Sequence, residues 1–233
     1  GGVGAGAGGV EVLLAIEHRL RRDFADAGRP SNHIKFHLIT DAEDILVSHN
    51  PSVRRKFNRV LKERNVVVHL NHKVVGVEDS SVTCENGACI ALDEILWVTP
   101  AGAAPWLRQD TKLRLDEHGF IAVSDTLETV SHSDIFAAGD IAAVASHPRP
   151  KAGVFAVRQG PPLAENLRCA LTGRPLRPFR PQKDFLSLVS TGDKYAVGSR
   201  NGWAVEGEWV WQLKNWIDLR WMRKYQELPE MEE

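Results

Sequence analysis

The spacing of apolar residues changes period several times along these 233 residues, and each change marks an element. A glycine-rich start, GGVGAGAGG, runs straight into Val10, Leu13, Leu14, Ile16 and Leu20 at helical spacing, which predicts an amphipathic helix. His33 to Thr40, HIKFHLIT, alternates and reads as a parallel strand. Asn50-Pro51 then offers a capping side chain and a proline at the first helical position, so a helix is expected to run to Arg64. Val66-Val67-Val68 follows as a buried strand. From Lys73 to Val98 the period becomes two, with KVVGVE, SVTC, ACIAL and EILWV separated by turn residues. Asn86-Gly87 between two β-prone runs is a hairpin signal, so a small antiparallel excursion should precede the last parallel strand.

The second half has a different texture. Leu115 to Val130, LDEHGFIAVSDTLETV, reads as a hairpin feeding a short buried strand, Ile135 to Ala138, which Gly139 turns sharply before Asp140 and a small-residue helix start. Ala152 to Leu171 reads as a helix. RPLRPFRPQ after Gly173 is an extended connector, because its prolines cannot continue a helix. Two short strands, FLSLVST and KYAVGSR, lead to a Trp-rich end. There Leu213, Trp216, Ile217 and Trp221 share a helical face, with Lys214, Arg220, Arg223 and Lys224 diluting the other side. These three residues of the face, Trp216, Ile217 and Trp221, are expected to pack on the protein, with LPEMEE leading out as a linker; weak docking on a membrane is the less favoured expectation. The pattern is α/β, with a domain boundary in the Ala101–Pro105 loop: residues 1–105 form a nucleotide domain and 106–233 a second portion with the Trp-rich tail.

Composition narrows the partners. A 43% apolar content supports an ordinary buried core, and 29 basic against 30 acidic side chains leave a net charge of −1, so nucleic acid is not an expected partner. Cys84, Cys89 and Cys169 form neither a disulfide framework nor a ligand cluster, which points to a reducing cytoplasm. A two-residue turn at Asn86-Gly87 would set Cys84 opposite Cys89, where a disulfide is geometrically allowed; the alternative is two small apolar strand residues. His118, His132 and His147 lack companions at ligand spacing, and no metal is assigned.

The candidate chemistry sits in two places. Gly4, Gly6 and Gly9 have GxGxxG spacing ahead of a helix: a tight turn, a close approach for a pyrophosphate, and room for helix on sheet. Only three residues precede Gly4, where about five are expected for the strand. Thr40 and Asp41 close the second strand, the place for a partner to the adenosine ribose. Gly139-Asp140 offers a carboxylate that can accept hydrogen bonds from a polyol.

SHSDIFAAGDIAA, with GAGAGGVE before it and KAGVFAVRQGPPLAENL after it, resembles the FAD-dependent pyridine nucleotide-disulfide oxidoreductase family, in particular its type II NADH dehydrogenase-like branch. The stretch GVFAVRQGPPLAENL and the tail WQLKNWIDLRWMRKYQELPEM resemble the members fused ahead of selenide, water dikinase. The resemblance implies a Rossmann-like NAD(P)-binding domain followed by the C-terminal part of a FAD/NAD(P)-binding domain, with FAD and NAD(P)H as cofactors. It implies NAD(P)H-dependent reduction of FAD, and it places the preceding FAD half outside this chain, so that catalysis by the chain alone is not expected. On it, Asp140 with Gly139 would hold the ribityl chain, Glu11 would lie near the nicotinamide, and Lys151 and Gln159 would fall near the flavin ring. Glu11 is alternatively a first-turn acid favoured by the helix dipole, and Lys151 a solvated surface charge. Pro100 stands where relatives often carry a glycine in the exit loop. The catalytic group is left unassigned. The rival reading is a non-catalytic nucleotide-fold module serving a fused or partner selenophosphate-synthesis enzyme.

Overall fold

The computed structural model describes residues 1–227. The chain divides into two compact units, Gly1–Thr99 joined by the segment from Leu186 onward, and Pro100–Phe185.

The first unit opens with β1 (Gly2–Val3), α1 (Ala7–Asp26), β2 (Phe36–Ile39), α2 (Pro51–Glu63) and β3 (Val66–His69). It continues through β4 (Val74–Glu78), β5 (Ser81–Cys84), β6 (Cys89–Ala91) and β7 (Leu96–Trp97). β3-β2-β1-β7 is a parallel sheet, and β4-β5-β6 an antiparallel meander. The strand ahead of the glycines is present with two residues, because Gly2 and Val3 are paired on both edges, to Leu38 and Ile39 and to Leu96 and Trp97. Alternation along β2 sends Phe36 and Leu38 to the helical side, where they meet Val10, Leu13, Leu14, Val53 and Phe57. Ile39, on the other face, joins Val3, Val82, Cys84, Ile90 and Leu92 under the meander. α2 starts as the sequence predicts: the Asn50 side chain accepts from the Val53 amide, and Pro51 follows.

Cys84 and Cys89 do not face each other. Thr83 pairs with Cys89, and the Cys84 amide donates to the Ala88 carbonyl, closing a three-residue loop with Gly87 at φ +84°. The extra loop residue shifts the register by one, so Cys84 is buried and Cys89 exposed, and both are free thiols.

The second unit holds α3 (Pro105–Asp110), β8 (Ile121–Val123), a 3-10 turn (Gly139–Ile141), β9 (Ala142–Val144) and α4 (Gly153–Leu171). Two expectations are corrected here. Ile135 to Ala138 is not a ladder strand: Phe136 makes one isolated bridge to Glu128, and the strand comes after Asp140, as β9, parallel to β8. Nor does a helix begin at Asp140, where the short turn passes directly into β9. The apolar residues Ala142, Ala143 and Val144 supply the strand in place of the run before Gly139. α4 runs through Pro161 and Pro162, each of which removes one amide donor from it. Asn166, fully buried, donates to the Thr126 and Arg177 carbonyls and accepts from the Arg177 amide, pinning the proline-rich connector back on the helix.

The chain then returns to the first unit with β10 (Ser187–Ser190), β11 (Ala196–Arg200), β12 (Trp203–Gly207) and α5 (Glu208–Gln226). This departs from the expected grouping of 106–233. Lys56 and Arg59 of α2 pair with Glu206, and Arg64 pairs with Asp193 and with Glu17. Gly192, at the β10–β11 turn, lies so near α1 that a Cβ would fall 2.6 Å from the Ala15 Cα. β12 was not expected, although Asn201-Gly202 between Arg200 and Trp203 is the hairpin dipeptide seen at Asn86-Gly87. In α5 only Val210 is buried. Trp216 is 56% exposed, Ile217 37% and Trp221 38%, so the expected packing of these three on the protein does not occur. No described helix is long and apolar enough to cross a membrane. The expected LPEMEE linker lies outside the described residues.

Candidate nucleotide sites

In the first unit the three glycines meet three different constraints. Gly4 has φ +112°, and a Cβ there would stand 2.3 Å from the Val98 carbonyl oxygen, so the turn out of β1 presses on the end of the β7 segment. Gly9 is held tighter still, with its imagined Cβ 1.9 Å from the Gly4 carbonyl oxygen. Gly6 differs: its backbone is extended, and nothing lies within 4 Å of where a Cβ would be. It caps α1 without a side-chain hydrogen bond. The first amides of a 20-residue helix therefore open onto free space over a residue that has no side chain, which is what a pyrophosphate needs.

Thr40 and Asp41 follow β2 at the same edge of the sheet. Thr40 is buried, its hydroxyl accepts from the Ala42 amide at 3.2 Å, and its own amide donates to His69. Asp41 is exposed, so of the two it is Asp41 whose side chain is free to meet a ribose. Glu11 is placed otherwise. Its carboxylate accepts from the Ser190 amide at 2.6 Å and lies 3.7 Å from the Lys214 ammonium, tying α1 to β10 and α5.

In the second unit Gly139, Asp140, Lys151 and Gln159 converge on one turn. Gly139 has φ +76°, and Asp140 is exposed, with no side-chain hydrogen bond among the described residues. Gln159 is 6% exposed and accepts from the Gly139 amide at 2.6 Å. The Lys151 ammonium donates to the Ala142 carbonyl at 2.7 Å and stands 4.0 Å from the Phe120 ring centroid. Burial pulls the Lys151 pKa down from its ordinary value, against the upward pull of the Asp116 and Asp140 carboxylates. The surface-lysine alternative is thus set aside. Phe120 had no signal in the sequence, because one aromatic in a hairpin does not announce a cation above it.

The residues fit both groups that the site chemistry suggests: an anion cradle over Gly6, and an unpaired carboxylate at Asp140 for a polyol. Both features suit nucleotide ligands. Residues 3–160 match the family model described as pyridine nucleotide-disulphide oxidoreductase, and the chain belongs to this family. Proteins of the family use FAD and NAD(P)H. The type II NADH:quinone oxidoreductase of Haemophilus influenzae is 27% identical over 206 residues, which is 84% of this chain and 45% of that protein. Ferroptosis suppressor protein 1 of Xenopus tropicalis is 25% identical over 241 residues, 97% of this chain and 61% of its own length. The chain thus spans about half the length of the curated relatives it matches. Among solved structures, NDH2 of Plasmodium falciparum in complex with NADH superposes with a TM-score of 0.76 at 12% identity, covering 94% of this chain and 61% of the other. Sulfide:quinone oxidoreductase of Aquifex aeolicus gives 0.72 at 15% identity, covering 96% and 57%. These two show the fold.

Proposed function

We propose that the chain is the NAD(P)H-binding domain and the C-terminal flavin-binding portion of a type II NADH dehydrogenase-like oxidoreductase. The carrying observation is the cradle at α1: free helix-end amides over Gly6, with Gly4 and Gly9 pressed into backbone on either side. Bound FAD would accept a hydride from the nicotinamide and pass its electrons to an acceptor. The protein's own share is to bind and orient. The α1 amides would take the NAD(P)H pyrophosphate, and Asp41 would accept from the adenosine ribose hydroxyls. Asp140 would accept from the flavin's ribityl hydroxyls. Stopped-flow mixing of the full-length protein with NADH tests the reading. Bleaching of the flavin absorption supports it, and a protein without flavin absorption contradicts it.

One observation favours the rival non-catalytic module. The glutamate expected near the nicotinamide is occupied by Ser190 and Lys214. That reading predicts a purified full-length protein with no flavin spectrum. The link to selenium metabolism rests on GVFAVRQGPPLAENL and the Trp-rich tail, and the reading of the gene downstream of Glu233 tests it. A cytoplasmic location agrees with the free thiols of Cys84, Cys89 and Cys169.

A further inference from the structure

We propose that Gln159 and Lys151 are positioning residues that clamp the two ends of the turn carrying Asp140. The inference rests on the flavin reading above and adds a role for two of its residues.

Residues 139–141 make a single 3-10 turn between the extended Ala138 and β9. A turn so short has little ladder to hold it, and Gly139 lies at φ +76°, where the chain has no side chain to anchor it. Two side chains supply the anchors. At the entry, Gln159 Oε1 accepts from the Gly139 amide. Gln159 projects from the buried face of α4 that also carries Phe155, Asn166 and Cys169, so helix packing fixes the direction of its amide. At the exit, Lys151 Nζ donates to the Ala142 carbonyl while the Phe120 ring covers the ammonium. Ala156 of α4 backs the glycine, 3.8 Å from where a Cβ would stand. One polar atom of each side chain is therefore held on backbone at either end of the turn, and Asp140 between them has an exposed carboxylate.

Fixing the turn before a ligand arrives lowers the ordering cost of binding, because the acceptor already points outward. Gln159→Leu keeps the shape and removes the acceptor; Gln159→Glu keeps an acceptor for the same N–H.

Amide hydrogen exchange on the full-length apoprotein reads the clamp without any cofactor. In Gln159→Leu the Gly139 amide should exchange at least about tenfold faster, since an unpaired hydrogen bond is worth roughly this factor, and reconstitution with FAD should need about tenfold more cofactor. Gln159→Glu should restore both to within about twofold. Lys151→Met should speed exchange at Ala142, whose amide returns to the Gly139 carbonyl; this variant carries the test if Gln159→Leu does not fold. Unchanged exchange at Gly139 and Ala142 in these variants overturns the proposal. A wild-type protein that takes up no FAD defeats the flavin reading instead, and leaves the exchange result to decide the clamp.

Discussion

Replacing Gly192 by alanine tests whether the C-terminal strands are a built part of the nucleotide domain. Gly192 has φ +86°, and its Cβ would stand 2.6 Å from the Ala15 Cα, 2.7 Å from the Leu14 carbonyl oxygen and 2.8 Å from the Ala15 amide nitrogen. All three are backbone of α1, so no side chain can swing aside. The left-handed conformation costs an L-residue about 1–2 kcal/mol, and forcing an atom into a filled contact costs about 1–3 kcal/mol more. The sum is about 2–5 kcal/mol, or roughly 5–15 °C in Tm for a unit of this size. Gly28 separates the two contributions: it has φ +64° in the same unit with nothing within 4 Å of its Cβ position. Gly28→Ala should therefore lose only the conformational part, about 1–2 kcal/mol. Urea unfolding of both variants gives the comparison, with unchanged m values as the check that only the native state is altered. Equal losses at Gly28 and Gly192 would refute the seating of the β10–β11 turn on α1.

Other outcomes follow from the same contacts. Arg64→Ala removes a partner of Glu17, which is 3% exposed, and should cost on the order of 3 kcal/mol in thermal unfolding. For Asp193, burial pushes the carboxyl pKa up but the Thr191 hydroxyl and Arg64 outweigh it; for Glu206, burial is outweighed by Lys56 and Arg59. Both carboxyls are thus held below their ordinary values of 3.8 and 4.5, so this stabilisation is complete above those values and is lost as pH falls through the lower folded ones; acid unfolding should begin earlier in Arg64→Ala. Under native conditions a thiol reagent should modify Cys89 at once and Cys84 only on unfolding, with no disulfide found by mass spectrometry. The exposed Trp209, Trp216 and Trp221 beside Arg220, Arg223 and Lys224 should bring the protein down with anionic vesicles, and Trp216→Ala with Trp221→Ala should weaken this.

Elements governed by local chemistry were legible in the chain. Asn50-Pro51 set the start of α2, the glycine spacing set the turn before α1, and the Asn86-Gly87 dipeptide announced the hairpin. Elements governed by distant partners were not. Cys84 and Cys89 fell on opposite faces because the loop took three residues, a register choice that Gly87 permits and the dipeptide alone does not decide. β9 lies after Asp140 because its partner β8 is some twenty residues away, while the run at Ile135 looked equally apolar. The candidate site shows the same division. The turn geometry at Gly4, Gly6 and Gly9 and the exposure of Asp140 were readable, since both depend on the backbone next to them. Glu11, Lys151 and Gln159 also reach Ser190, Ala142 and Gly139, contacts made across the fold and invisible to spacing.

The cradle at α1 is tested most directly at Gly6. Its backbone is extended at φ −71°, ψ 178°, and its Cβ position is open, so Gly6→Val should fold normally while its side chain occupies the space over the helix-end amides. NADH titration of the wild type and the variant, with Tm measured on both, makes the comparison. The expected result is NADH binding by the wild type, weakened at least about tenfold in Gly6→Val because charge-assisted contacts of about 1.5–3 kcal/mol are lost, at a Tm within a few degrees of the wild type. A variant that binds NADH as tightly as the wild type would contradict the account.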